Sequence, residues 1–158
     1  MSDVNRRLLL KATLAGGVIG VAAGAGLLRP RVVLAAAWPA QAFQAKSVSD
    51  ALKGLYERDA LVESADIKLK APDIAENGAV VPVEVSTALP EVSSIGIVIE
   101  KNGRPLAADF QLTPRATGKV STRVKVAESS KVLAVVESKG KLYSAAKEVK
   151  VTIGGCGG

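Results

Sequence analysis

Apolar residues change their spacing partway along this chain, and the change divides it. From Ser47 the pattern is helical. Val48, Leu52 and Leu55 fall on one face, with Ala51 and Tyr56 flanking it. Ser47 or Ser49 is the candidate cap, and Asp50, three residues after Ser47, fits a capping box. Past Ala65 the period drops to two. Ile67, Leu69 and Ala71 alternate with Asp66, Lys68 and Lys70; Val81, Val83 and Val85 repeat the pattern, as do Ile95, Ile97 and Ile99. Val120, Val124 and Val126 alternate with Ser121, Arg123 and Lys125, and Val149, Val151 and Ile153 form the last alternation. The run from Lys131 to Ser138 is apolar on both faces, as expected of a central strand.

Turn signals separate these runs: Asn77-Gly78, Asn102-Gly103, Gly118 and Gly140. Pro82, Pro105 and Pro114 cannot donate to a ladder and mark edges or bulges. The spacing predicts seven short strands in about 90 residues, the density of an antiparallel β-sandwich, with one short helix before it. No helix is readable after Tyr56.

A different pattern precedes the helix. Arg6-Arg7 stand before Leu8, Leu9, Leu10 and Lys11; Ala12 to Leu28 carries no charge; Arg29-Pro30-Arg31 closes the stretch. This is the pattern of a twin-arginine export signal. Small residues in Val32–Ala42 offer cleavage sites, with a cut after Ala37 expected and one after Ala42 as the alternative. The uncharged stretch is Gly-rich and at the lower limit for a span, so no stable membrane insertion is expected after cleavage. The expected organisation is a signal peptide at 1–37, a helical segment at 38–60, a sandwich at 61–153 and an arm at 154–158. The expected compartment is the periplasm, where ATP is absent and exposed thiols are readily oxidised.

Charge then loses its first meaning. The net charge is +6, which alone invites a nucleic-acid reading. Residues 1–37 hold five basic residues and one acidic, which leaves 16 basic and 14 acidic in the rest. The body is nearly neutral and has no basic run, so no nucleic-acid partner is expected. Aromatic residues at 3% are too few for a stacking platform to be expected.

Candidate chemistry is thin everywhere but at the end. The chain has no histidine and one cysteine. Ser–His and Cys–His nucleophiles, histidine metal sites and an internal disulfide framework are excluded. No catalytic residue, bound cofactor or metal is expected, and the chain is not expected to be an enzyme. Asp73 and Glu76 are the nearest acidic pair and read as turn and loop acids.

The chain ends Gly154-Gly155-Cys156-Gly157-Gly158. Three residues past Ile153 can hold the thiol roughly 10 Å clear of the sandwich, at ~3.3–3.6 Å per residue. The glycines remove every side chain that would clash in a narrow tunnel. Nothing beside Cys156 activates it: Lys150 is six residues back, and the terminal carboxylate disfavours a thiolate. The design is that of an arm that carries something on sulfur into another protein's active site.

The terminal Gly-Gly-Cys-Gly-Gly, the twin-arginine leader and the stretch Pro72–Val85 together resemble the SoxY family of sulfur carriers. The resemblance runs the whole chain, including Trp38–Tyr56. It implies an immunoglobulin-like sandwich and a heterodimer with a SoxZ-like subunit that lacks its own signal. It implies that Cys156 carries thiosulfate-derived sulfur covalently and that Gly154, Gly155, Gly157 and Gly158 form the arm. It also implies a SoxAX-like haem enzyme to join thiosulfate to the thiol, a SoxB-like hydrolase to release sulfate and, in some systems, a SoxCD-like dehydrogenase. Two other readings remain at this point. One is a structural or binding sandwich with an incidental terminal cysteine. The other is a ubiquitin-like carrier with a thiocarboxylate on Gly158, which needs ATP and a helix between strands.

Overall fold

The computed structural model describes residues 38–152. Two short helices, α1 (Ala40–Gln44) and α2 (Val48–Tyr56), precede nine strands. These are β1 (Leu61–Glu63), β2 (Ile67–Lys70), β3 (Ile74–Ala75), β4 (Val81–Thr87), β5 (Val92–Ile99), β6 (Leu106–Gln111), β7 (Lys119–Val124), β8 (Ser130–Ser138) and β9 (Lys141–Val151). One sheet runs β1-β9-β8-β5-β6, with β3 also on β9; the other runs β2-β4-β7. The architecture is an immunoglobulin-like sandwich with helices ahead of it. Among the described residues no helix is long and apolar enough to cross a membrane.

Seven strands are expected, of which the six named runs match β2, β4, β5, β7, β8 and β9; the described residues hold nine. β1 and β3, three and two residues long, are too short to show a period. Both pair with β9 in parallel, so the sandwich is antiparallel except along that strand's outer edge. The side chains follow the predicted alternation. Val81, Val83, Val85, Ile95, Ile97, Ile99, Val132, Ala134, Val136 and Val149 meet between the sheets. Val126 lies beyond the end of β7 yet joins this core.

Pro82 sits in the middle strand of its sheet, where a missing N–H would ordinarily break the ladder. There β4 is paired on one side only, because β7 covers residues 81–86 and β2 covers only 84–87. The strand is an edge at that residue, as the proline requires.

The helices cover the outer face of the larger sheet and build a second core. Ala42, Ala51, Leu52 and Tyr56 pack with Val98, Leu106, Val135 and Leu142. This explains why β5 and β8 are apolar on both faces. Ser47 is the cap of α2: its Oγ accepts from the Asp50 N–H at 3.0 Å and donates to the Asp50 carboxylate at 2.7 Å. Ser49 instead donates to Asp59. A nine-residue helix is marginal alone in water. Packing holds it, since full burial of a side chain such as Leu52 contributes about 1.5–3 kcal/mol. At Gly54 a Cβ would lie 3.0 Å from the Ala42 backbone, so the helices approach closely there.

One polar cluster lies beneath α2. The Tyr56 hydroxyl donates to Asp109 at 3.2 Å and accepts from Ser94 at 3.3 Å, while Gln111 donates to Asp109 at 2.6 Å. Burial pushes the Tyr56 phenol up, and the Asp109 charge adds to this. Burial also pushes the Asp109 carboxyl above the usual range; hydrogen bonds from Gln111 and Tyr56 oppose this, and Glu137 reinforces it. Folding therefore favours protonated Asp109. Its contribution to stability is fully present below the unfolded value of 3.8 and is lost as pH rises through the folded value. Asp109→Asn keeps an acceptor for Tyr56 without a half-buried charge. The variant is expected to melt higher than wild type at pH 7, with the gap closing as pH falls toward 4. Melting curves from pH 4 to 8 check this, and a lower Tm than wild type at pH 7 contradicts it.

Candidate functional site

Cys156, the arm glycines Gly154, Gly155, Gly157 and Gly158, and the export residues Arg6 and Arg7 lie outside the described residues. The described residues end at Thr152, ahead of the expected arm, and the last described strand shows how the chain is held up to that point.

β9 carries Val149 into the core with no exposure and half-buries Val151. Its outer edge faces β3, with Ile74 opposite Lys150 and Ala75 opposite Val151. The Lys150 N–H donates to the Asp73 carbonyl at 2.9 Å, and the Thr152 N–H to the Ala75 carbonyl at 3.2 Å. Its inner edge loses β8 after the Ser130–Val149 pair. Ser129 fills that gap with its side chain. Its Oγ accepts from the Val151 N–H at 2.9 Å and donates to the Val151 carbonyl at 3.4 Å. Both edges of the strand's last residues are thus hydrogen-bonded.

Three loops gather at this end. The Asn77 side chain accepts from the Ala79 N–H at 2.9 Å and tightens the β3–β4 loop. The Gly78 carbonyl accepts from the Val126 N–H at 2.7 Å. Asn102, in the β5–β6 loop, donates to the Lys125 carbonyl at 2.8 Å and accepts from the Ala127 N–H at 2.9 Å. The Asn-Gly pairs read from the sequence as turn signals therefore also tie the β7–β8 connection to its neighbours. Ser129 carries no signal that sequence reasoning could have used.

Gly78 is needed for closeness. A Cβ there would stand 2.4 Å from the Val126 carbonyl oxygen and 2.9 Å from Val151 Cγ1. Gly78→Val must push the loop off the end of β9. Overpacking of this kind costs about 1–3 kcal/mol. A lower Tm is expected, with faster amide exchange at Val126 and Thr152 than at core positions such as Ile97. Unchanged exchange at both amides would show that the loop does not hold the root.

Asp73 and Glu76 do not form a catalytic pair. Asp73 is exposed and pairs with Lys147 at 3.1 Å. Lys147 also donates to the Ala71 carbonyl at 2.5 Å, which pins the segment where the chain crosses from one sheet to the other. Among the described residues no group of three His, Cys, Asp or Glu is placed to hold a metal ion. A cavity of about 460 Å³ opens between the β4–β5 and β6–β7 connections, at the other end of the sandwich from the root, lined chiefly by Leu89, Val92, Leu112 and Pro114.

The family model described as sulfur oxidation protein SoxY matches residues 52–156. The solved structure of the sulfur carrier protein SoxY from Chlorobium limicola f thiosulfatophilum is 43% identical, with a TM-score of 0.60, over 66% of this chain and 94% of that one. A superoxide reductase (neelaredoxin) from Ignicoccus hospitalis aligns at 23% identity and a TM-score of 0.49, over 54% of this chain and 80% of that one. No curated protein matches.

Proposed function

The chain belongs to the SoxY family of sulfur oxidation proteins, and from that premise we propose that it is a periplasmic, non-catalytic carrier that holds thiosulfate-derived sulfur on Cys156. The observation that supports this reading most directly is the locked end of β9. Ser129 and β3 fix the chain up to Thr152, so Cys156 lies four positions beyond a fixed base. The tether reaches at most ~14 Å at ~3.3–3.6 Å per residue. That is long enough to enter an enzyme and short enough to direct the thiol there.

The loading chemistry requires an oxidant. Thiosulfate and the Cys156 thiol form an S–S bond, one proton leaves, and two electrons pass to a SoxAX-like haem enzyme. Hydrolysis by a SoxB-like enzyme then adds water across the outer S–S bond. Sulfate and a proton leave, and a persulfide stays on Cys156. A SoxCD-like dehydrogenase is the expected consumer of that sulfane sulfur. The chain itself supplies a nucleophile, and its partners supply redox and hydrolytic groups. A SoxZ-like subunit is the expected heterodimer partner.

Processing after Ala37 fits the packing. Ala42 is fully buried in the helical layer against Gly54, and a cut after it would remove the first half of α1.

The test is intact mass with peptide mapping. Reduced mature protein is incubated with thiosulfate, a SoxAX-like enzyme and oxidised cytochrome c. A thiosulfate-derived adduct confined to Cys156 is the expected result. An unmodified thiol under these conditions overturns the carrier reading, and a thiocarboxylate on Gly158 would replace it with the other carrier chemistry.

A further inference from the structure

We propose that the apolar surface of Ile74, Ala79, Val80 and Ala127, around the root of the arm, is the common seat for the channel rims of the enzymes that act on Cys156. The proposal rests on the carrier reading and adds where the client enzyme touches. The geometry leaves little choice of place. An enzyme that encloses the thiol must bring its surface within ~14 Å of Thr152, because four residues span no more at ~3.3–3.6 Å each. Whatever is exposed beside Thr152 is therefore covered each time the arm is inserted.

Four of the side chains exposed there are apolar, among charges of both signs. Ile74 is 59% exposed and Val80 51%. Ile74 lies opposite Lys150, two residues before Thr152, and the Thr152 N–H is bonded to the residue after Ile74. Val80 follows the loop that Gly78 packs against Val151. Exposed Ala79 and Ala127 flank the Gly78–Val126 hydrogen bond that joins the two loops. Exposed charges of both signs border the patch in sequence: Asp73, Glu76, Lys125, Glu128 and Lys150. Large apolar side chains exposed among charges of both signs suit a protein interface. The patch is small, which suits a contact that must release after each transfer. The occupant it fits is an apolar, weakly charged collar around a channel mouth. Because each client must lie over the same root, the clients exclude one another.

The variant Ile74→Thr/Val80→Thr removes the apolar contact while keeping β-branched side chains and strand preference. Loading of mature protein by a SoxAX-like enzyme with thiosulfate and oxidised cytochrome c is followed by intact mass. The expected result is a rise in KM of at least tenfold with kcat within twofold of wild type. Melting temperature and the rate of alkylation of Cys156 by iodoacetamide are expected to stay at wild-type values. Ile74→Asp/Val80→Asp is expected to raise KM further. A wild-type KM in the threonine variant, or a fall in kcat alone, overturns the seat while leaving the carrier function intact. Failure of the wild-type protein to load overturns both.

Discussion

Cys156→Ser is expected to keep the wild-type melting temperature and to accept no sulfur. The two halves of this result come from different parts of the molecule. Stability resides in the two cores, on either face of β5 and β8, and in the hydrogen bonds that end at Thr152. Position 156 lies four residues beyond the last of these, so replacing sulfur by oxygen removes no described contact. Loading fails for a chemical reason. A serine hydroxyl is a weak nucleophile without an adjacent base, and the chain has no histidine to act as one. Turnover of thiosulfate by the reconstituted enzymes should drop to the level seen without carrier, and circular dichroism and Tm should match wild type. Residual loading above that background would place the carrier group elsewhere. A fall in Tm would show that the cysteine has a structural contact.

Arg6→Lys/Arg7→Lys is expected to hold the protein in the cytoplasm as uncleaved precursor. The substitution keeps both positive charges, so a loss of export separates the arginine pair from charge alone. Lysine does not reproduce the planar, five-donor guanidinium. The fold gives a reason for a route that accepts folded cargo. β9 is the last strand, yet it pairs with β1 and β3, some of the earliest strands, and lies between β1 and β8 in its sheet. Such long-range pairing completes the sandwich only when the whole chain is available. Fractionation with intact-mass measurement checks the prediction. Processed protein at normal periplasmic levels in the double variant would sink the export reading.

The parts of this fold that could be read from the sequence were those with a period. Val81, Val83 and Val85, and Ile95, Ile97 and Ile99, alternate cleanly and point into the core. The doubly apolar run at β8 announced a strand covered on both faces, though not that α1 and α2 supply the second cover. β6 reads Leu-Ala-Ala-Asp-Phe-Gln, and the register shift opposite Ile97 and Val98 blurs what alternation it has. β1 and β3 exist because β9 offers them an edge, a tertiary reason that leaves no local trace. The expectation of an arm came from composition alone, a lone cysteine among glycines, and falls on residues outside the described ones. Its root was not legible: Ser129 is one serine among many until Val151 is seen beside it.

The pairing of β9 has a mechanical consequence. On the carrier reading proposed above, withdrawal of the C-terminal residues from a partner would put tension on the chain at Thr152, and one direction open to it is the axis of β9. The hydrogen bonds to β8 and β3 run across that axis. Tension of this direction shears the bonds together instead of opening them one after another like a zip. The nine residue pairs between β8 and β9 share it from the start, with those of β3 on the other side. Tension along β9 would therefore meet the whole ladder at once, and the sandwich would stay shut under it.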